Sequence, residues 1–595
     1  MQALAGASGG AWGGVVVGLV EAGLVAATAG PADEYWLVPF AVVSYGAVGA
    51  LIGVAVGVVA AVATGAGGRA RANTAALASA AAAVLLGTFV VRYHVVQRVF
   101  HEELVNASAG GLGVNLGVLA GCVVGGALIG LAVRAAVDRP YGLVGAVMGL
   151  AATLALAAGG AAATASTASD APVARRTSGR AAGAPNIVLV IADTLRADTV
   201  ARFVAANADG GLHALTADAL TFSHAYVQSS WTRPSIATIL TGLYPSQHGA
   251  VHKMSPLSDA VTTLAEALRA RGYWTAGFVT NINVAPIFNF QQGFDEFTYL
   301  APSFYFGAAD SATRLAIYKG LRLVRERLLR NRIYVENYYQ DAAVVDAAVT
   351  DWLAQRPPQP FFLLVHYMDP HDPYFEIPYN GHGVARVTDP DPAPARRDEL
   401  HGLYAENVAY FDGFLKQLLA QLKARGDYDN TLVVFVADHG EEFQEHGGWW
   451  HGTTLFEEAV HVPLMIKRPG EPRAGQTEGA LVRTLDLAPT MLAAAGAAAL
   501  PASPGRDLFA PAPAAPPLLA EESLEGNVLA SLRSGGWKLI TANPDNPRGL
   551  PPVALYDLDS DPGETRNRAA DEPARVQAMR AELERLLTGI RGPQG

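Results

Sequence analysis

Cysteine is nearly absent. Cys122 is the only one in 595 residues, which excludes a disulfide framework and any zinc or iron–sulfur site built on thiolates. Lysine is missing before Lys253, and the first 170 positions hold only six arginines and seven acids. So little charge over so long a stretch excludes an ordinary soluble domain there. A basic excess is lacking as well: acids outnumber bases 54 to 43 and the formal charge is −11. Nothing is left over to neutralise a phosphate backbone, so nucleic acid is excluded as a partner. A mean hydropathy of +0.21 excludes a wholly soluble or disordered chain.

Five apolar stretches are present instead, at about 12–30, 36–63, 74–93, 111–133 and 141–166. Each reaches the roughly 20 residues that cross a hydrocarbon core, so residues 1–167 are expected to form a five-helix transmembrane module. Arg69 and Arg71 lie between the second and third stretches, Arg134 and Arg139 between the fourth and fifth, while the first connection carries Asp33 and Glu34. Positive-inside logic puts the arginine loops in the cytoplasm and everything after the fifth span outside, in a multi-pass protein of a bacterial-type cytoplasmic membrane. Arg92 and Arg98, in the third connection, pull the other way. Gly49, Gly53 and Gly57, and again Gly113, Gly117, Gly121 and Gly125, recur every four residues, a spacing that lets helix backbones approach closely or that follows from composition. Glu21 is an intramembrane carboxylate with no partner legible in the sequence, expected to be protonated or to face the bundle. Residues 168–185 read as a tether.

From Asn186 strands alternate with helices. Apolar runs at 186–192, 361–365, 432–437 and 462–466 suit buried strands, and helical patterns fall at about 259–271, 337–355 and 398–425. The expectation is an α/β sheet sandwiched by helices, with ligands beyond the carboxyl ends of the strands. Polar residues gather at those ends: Asp193, then His366, Asp369 and His371, then Asp438 and His439. Taken together, Asp193, Asp438 and His439 form a ligand set for a divalent cation, although singly an Asp after a strand is more often a cap. A Pro/Ala-rich linker is expected at 501–522. Short strands near 528–533, 537–540 and 554–558 and a helix at 572–589 then make a small α+β subdomain over 523–595.

The segments N-I-V-L-V-I-A-D-T-L-R-A-D (186–198), W-T-R-P-S-I-A-T-I-L-T-G-L-Y-P-S-Q-H-G (231–249), H-Y-M-D-P-H-D-P-Y (366–374), A-D-H-G-E-E-F-Q-E-H-G (437–447) and L-Y-D-L-D-S-D-P-G-E-T-R-N (555–567) carry a resemblance. They are similar, in order and spacing, to motifs of the sulfatase-like branch of the alkaline phosphatase superfamily. The resemblance implies an alkaline-phosphatase-like catalytic domain over 186–500, one divalent metal (Ca, Mn, Mg or Zn), and a phosphate- or sulfate-ester substrate, a lipid or a glycan among the candidates. Sulfatases carry Cys or Ser in a C/S-x-P-x-R pattern and convert it to formylglycine. Here the position is Thr232, which that maturation does not convert, and Ile236 replaces the Arg. Thr194 also stands where a second carboxylate is usual. These departures resemble the lipoteichoic acid synthase and phosphoethanolamine transferase members, which likewise carry five membrane helices.

Chemistry then assigns candidates. Thr232, as nucleophile and fourth metal ligand, needs activation by a base or a metal, and alone it would read as a helix cap. Arg233 either pairs with an oxyanion or is a loop residue. The resemblance places His248 and Lys253 near the substrate's oxygens, His371 at a substrate-contact or proton-donating position, and His451 where sulfatases tend to have a Lys that protonates the leaving oxygen. A second metal on His446 or His451 is an open alternative, and His366 reads as a packed strand-end residue. Trp449, Trp450, Tyr374 and Phe375 are expected at the pocket mouth. The 300–340 stretch reads as an insertion whose basic amphipathic helix lies either in solvent or on anionic headgroups. Three functions compete: a membrane-anchored phosphoryl hydrolase or transferase, a sulfuric ester hydrolase, and an inactive sensor on the same fold.

Overall fold

The computed structural model describes residues 1–27, 34–63, 67–100, 109–137, 183–329, 332–511 and 517–591. Two compact units emerge: Met1–Pro172 with Phe304–Leu328, and Val173–Ser303 with Leu329–Gly595.

Among the described residues, the first unit contains four helices long and apolar enough to span a membrane: α1 (Gln2–Ala26), α2 (Glu34–Ala63), α3 (Gly68–Arg98) and α4 (Ala109–Val137). The fifth expected span, 141–166, and the tether up to residue 182 lie outside the described residues. The first helix begins ten residues earlier than expected, because its Gly/Ala/Ser-rich start packs directly on α2 and α3. A Cβ added at Gly10 or Gly53 would run into the backbone of the facing helix, and one at Gly9 into Ala75. The Gly49–Gly53–Gly57 spacing is therefore a packing device, whereas Cβ atoms at Gly113, Gly117, Gly121 and Gly125 would meet open space.

Glu21 has partners after all. It is fully buried, and its Oε1 accepts from His94 Nε2 at 2.7 Å and from the backbone N–H of Ala316 at 2.7 Å; Oε2 accepts from the Tyr45 hydroxyl. Ala316 opens the helix Ala316–Leu328 of the expected insertion. The first half of that helix is buried against Phe40 and Phe89, so the solvated reading of the whole helix does not hold.

The second unit is built on eight strands: β1 (Asn186–Ala192), β2 (Leu220–Tyr226), β3 (Trp274–Val279), β4 (Glu296–Tyr299), β5 (Phe361–Tyr367), β8 (Thr431–Ala437), β11 (His461–Lys467) and β12 (Thr477–Arg483), in the order β12-β2-β11-β8-β1-β5-β3-β4. The strands from β8 to β4 run parallel, and β11 is antiparallel to both of its neighbours. All residues of β1, β5 and β8 are buried, as the unbroken apolar runs require of strands covered on both faces. Two short ribbons, β6 (Tyr374–Phe375) with β7 (Gly383–Val384) and β9 (Glu442–Phe443) with β10 (Trp449–Trp450), follow strand ends.

A separate antiparallel sheet comprises β13 (Leu518–Leu524), β14 (Asn527–Ser534), β15 (Trp537–Ala542) and β16 (Val553–Asp557), followed by the helix Pro573–Arg591. The expected linker at 501–522 thus ends in a strand. Glu521 and Glu522 hide it in the sequence, yet both are buried and accept hydrogen bonds from Ser246 and Ser230 respectively.

Candidate active site

Register brings the site together. Ala192 lies opposite Ala437 and Tyr367, so Asp193 and Asp438, one residue later, leave adjacent strands at the same level. Thr194 then turns with φ +57°, a left-handed conformation costly for a β-branched residue. That turn aims its N–H at Asp438 Oδ1, 3.3 Å away, and returns its hydroxyl to Asp193 O. The second carboxylate usual in sulfatases is thereby replaced by a backbone donor.

His439 Nδ1 donates to Gly440 O at 3.0 Å, which leaves Nε2 unprotonated and directed at Asp193 Oδ1 and Asp438 Oδ2, each 3.5 Å away. Those two carboxylate oxygens are buried and receive no hydrogen bond. Burial and the charge of Asp193 push Asp438 well above the usual carboxylate range; burial acts the same way on Asp193, but the imidazoles of His371, His366 and His439 hold it low. Two fully buried carboxylates that oppose each other beside an imidazole lone pair fit a divalent cation, which would complete both oxygens and remove the repulsion.

Thr232 opens the ten-residue helix Thr232–Thr241 and is not its cap; that position belongs to Trp231. Its Oγ1 lies 3.4 Å from Asp193 Oδ2, His439 Nε2 and Asn281 Nδ2. Ser235, one turn on, donates to Asp438 O and so ties the helix to the end of β8. Free N–H groups of a helix's first turn favour an anion at this point.

Three imidazoles and a glutamate complete the cluster. The His451 ring is 4.5 Å from that of His439 and 4.8 Å from that of His371. His451 Nδ1 meets Glu441 Oε1 at 3.1 Å, and Tyr374 donates to Glu441 Oε2 at 2.7 Å. Burial, with His439, His371 and Arg386 nearby, keeps His451 neutral, well below its ordinary range. His371 differs: burial would lower it, but Asp193, Asp372 and Glu441 outweigh burial and raise it to about 9. His366, read from sequence as a packing residue, is fully buried yet has Nε2 3.3 Å from Asp193 Oδ2. Asn281 and Glu441 were not legible as site residues. Glu441 sits inside a recognised motif, but Asn281 is 49 positions from Thr232 with no local signal.

Other expected residues make their polar contacts outside the carboxylate–imidazole cluster. Arg233 is buried, with donors on Asn283 O, Asn283 Oδ1 and His252 O and its guanidinium over the Phe288 ring at 3.5 Å; these contacts brace a loop. His248 is buried behind the Thr232 helix: Nε2 faces Thr238 Oγ1 and Pro234 O, and Nδ1 accepts from Ala250 N. Lys253 pairs with Glu525 at 2.9 Å, and Arg386, which also donates to His451 O, pairs with the same carboxylate at 2.6 Å, so this pair borders the His451 end of the cluster. His446 is not beside His451 but in a group with Glu442 and Glu458, its Nδ1 2.6 Å from Glu458. The aromatics do not rim a mouth. Trp449, Trp450, Tyr374 and Phe375 are buried, and both indole N–H groups are satisfied by carbonyls, of Pro392 and Pro390.

Comparison with known proteins gives the family and the fold. The profile of the Sulfatase family matches residues 185–497. The multifunctional alkaline phosphatase superfamily protein PehA of Trinickia caryophylli is 24% identical over 504 residues, covering 68% of this chain and 94% of its own. The choline-sulfatase of Rhizobium meliloti (strain 1021) is 26% identical over 445 residues, covering 65% and 83%. Among solved structures, the phosphonate monoester hydrolase of Agrobacterium radiobacter superposes with a TM-score of 0.54 at 21% identity, covering 68% of this chain and 96% of its own. At that identity the likeness is one of fold.

Proposed function

The chain belongs to the sulfatase family, ester hydrolases of the alkaline phosphatase superfamily, and we propose that it is a membrane-anchored member that attacks a phosphoric ester through the Thr232 hydroxyl, outside the cytoplasm. The observation that carries this reading is Thr232 Oγ1 at a helix N-terminus, 3.4 Å from both Asp193 and His439. A threonine is an oxygen nucleophile as it stands, so no aldehyde is required. Relatives named for choline sulfate and for phosphonate monoesters mark the two ester classes, and Thr232 favours the phosphorus side.

Asp193, Asp438 and His439, with Thr232 Oγ1, would hold one divalent cation, which lowers the pKa of a bound hydroxyl and offsets charge on the ester. The chain's own groups do the rest. The helix N–H groups receive the ester's anionic oxygens, and Asn281, tied to Asp193 Oδ2 at 3.0 Å, orients the carboxylate and the hydroxyl together. With the Thr232 hydroxyl proton released to solvent, a new Oγ1–P bond forms as the bond from phosphorus to the leaving oxygen breaks. His371, charged at neutral pH, delivers a proton to that oxygen, and His451, held by Glu441, is the neutral base for the acceptor that later cleaves the phosphothreonine.

Membrane anchoring draws support from the four long apolar helices, and the outward orientation from Phe304–Leu328. That segment comes from the middle of the sulfatase sequence, and it packs at the helix ends opposite Arg69 and Arg71. The domain reading stays as a membrane module to 167, a tether over 168–185 and a catalytic domain over 186–500, with the C-terminal subdomain now starting at Leu518.

The test is chemical. Thr232 should have the mass of unmodified threonine, and an arrested enzyme should carry one phosphoryl group on its peptide. Thr232→Ser should keep measurable turnover of phosphate esters, and Thr232→Ala should lose about 10³-fold or more. Full activity of Thr232→Ala, or hydrolysis of sulfate but not phosphate esters, overturns the reading.

A further inference from the structure

The helix Ala316–Leu328 belongs to the unit of the four long apolar helices, although its sequence lies within the catalytic half. Its depth can be worked out. Helix α2 has 30 residues and is about 45 Å long, so each end overshoots a hydrocarbon core of about 30 Å by roughly 7 Å. Glu21, which accepts the N–H of Ala316, lies five residues before the end of α1, and His94 four before the end of α3. Those offsets are about 8 and 6 Å. On α2 the partners Phe40 and Tyr45 lie six and 11 residues from its start, about 9 and 16 Å, so the start of this helix lies within about 10 Å of the boundary between headgroups and acyl chains, the zone where amphipathic helices lie.

Its chemistry matches that depth. The first turn, Ala316–Tyr318, is buried, and beyond it Leu323, Val324, Arg327 and Leu328 are exposed together on one face, with Lys319 exposed at its edge. Val324 is 56% and Leu328 78% exposed, among the bases Lys319 and Arg327 of the same helix, which exposes no acid. The helix's one acid, Glu326, is buried and paired with Arg322 at 2.8 Å. Leucines flanked by long basic side chains bury their carbons in lipid while the charges reach phosphates.

We infer that the exposed face of Ala316–Leu328 is a lipid-binding surface for anionic phospholipid headgroups, a site distinct from the ester-cleaving centre. The inference rests on the reading of α1–α4 as membrane spans, and its test separates the two.

The full chain, with Cys122→Ser, is given single cysteines at Leu323 or Leu328, at Leu128 on α4, or at Gln577 on the C-terminal helix. Each is labelled with a fluorophore and placed in lipid nanodiscs. Quenchers carried on phosphatidylglycerol or phosphatidylcholine report lipid contact. Labels at 323 and 328 should be quenched several-fold more than at 577, and more by phosphatidylglycerol than by phosphatidylcholine. Lys319→Gln with Arg327→Gln should abolish that preference, a roughly fivefold loss per charge. Quenching at 128 but not at 323 and 328 overturns the proposal and leaves the spans standing. No quenching at 128 overturns the spans, and the proposal with them. Equal quenching by both lipids at 323 overturns the anionic specificity.

Discussion

Glu522 accepts both the backbone N–H of Ser230, at 2.9 Å, and its hydroxyl, at 2.8 Å, although the two residues are 292 positions apart. Ser229 donates to the same oxygen at 3.0 Å. A strand of the C-terminal sheet thus fixes the turn that precedes Thr232. Glu522→Ala leaves three buried donors without an acceptor, at about 1–3 kcal/mol for the first and less for each further one. The variant should lose Tm and kcat together with bound metal retained. Unchanged kcat would show that the turn holds its shape without the C-terminal sheet.

Asp438→Asn keeps the side chain's shape and removes a charge that a cation needs. Metal analysis of the purified chain should show loss of about one equivalent together with activity, while circular dichroism stays native. The variant also relieves the opposition to Asp193, so in metal-free protein it should be no less stable than the parent. Stoichiometric metal in Asp438→Asn would mean a different ligand set.

His248 gives a pH dependence. Burial holds its pKa near 3, against an ordinary 6.5. Between those values the unfolded chain takes up a proton that the folded chain refuses, so this residue's contribution is intact above pH 6.5 and is lost on acidification towards pH 3. The slope is about 1.4 kcal/mol per pH unit. His248→Gln should flatten the acid limb of Tm against pH, although it lowers Tm at pH 7 by removing the contacts to Thr238 and Pro234. Parallel curves for the two proteins would count against the assignment.

Orientation is checked by fusions. A reporter active only in the cytoplasm should be silent after Gly595 and active after Arg71. Activity at the C-terminus would reverse the placement of the catalytic unit and would require an even number of crossings.

Much was legible before folding. The runs at 186–192, 361–365, 432–437 and 462–466 are strands within two residues of their expected limits, because residues buried on both faces leave an unbroken apolar signature. Asp193, Asp438, His439 and Thr232 were recognisable because a parallel sheet puts chemistry at strand ends and at the helix that follows. Glu441 and Asn281 were not, since which side chain turns towards the cleft depends on backbone turns such as that at Thr194.

Sequence alone determined the division into an apolar and a charged half, the sheet, and Thr232 as the candidate nucleophile. Each follows from local composition or from motifs whose spacing is set by strand and helix lengths. Tertiary structure alone decided that Arg233 donates to His252 O and Asn283, that His248 packs against Pro234 and Thr238, that Trp449 and Trp450 are core, that Glu21 caps a helix from residue 316, and that Glu522 holds the turn before Thr232. In each case a side chain had several chemically reasonable uses, and the partner that chose among them lay on a distant part of the chain or was fixed by a turn, where no local pattern records it.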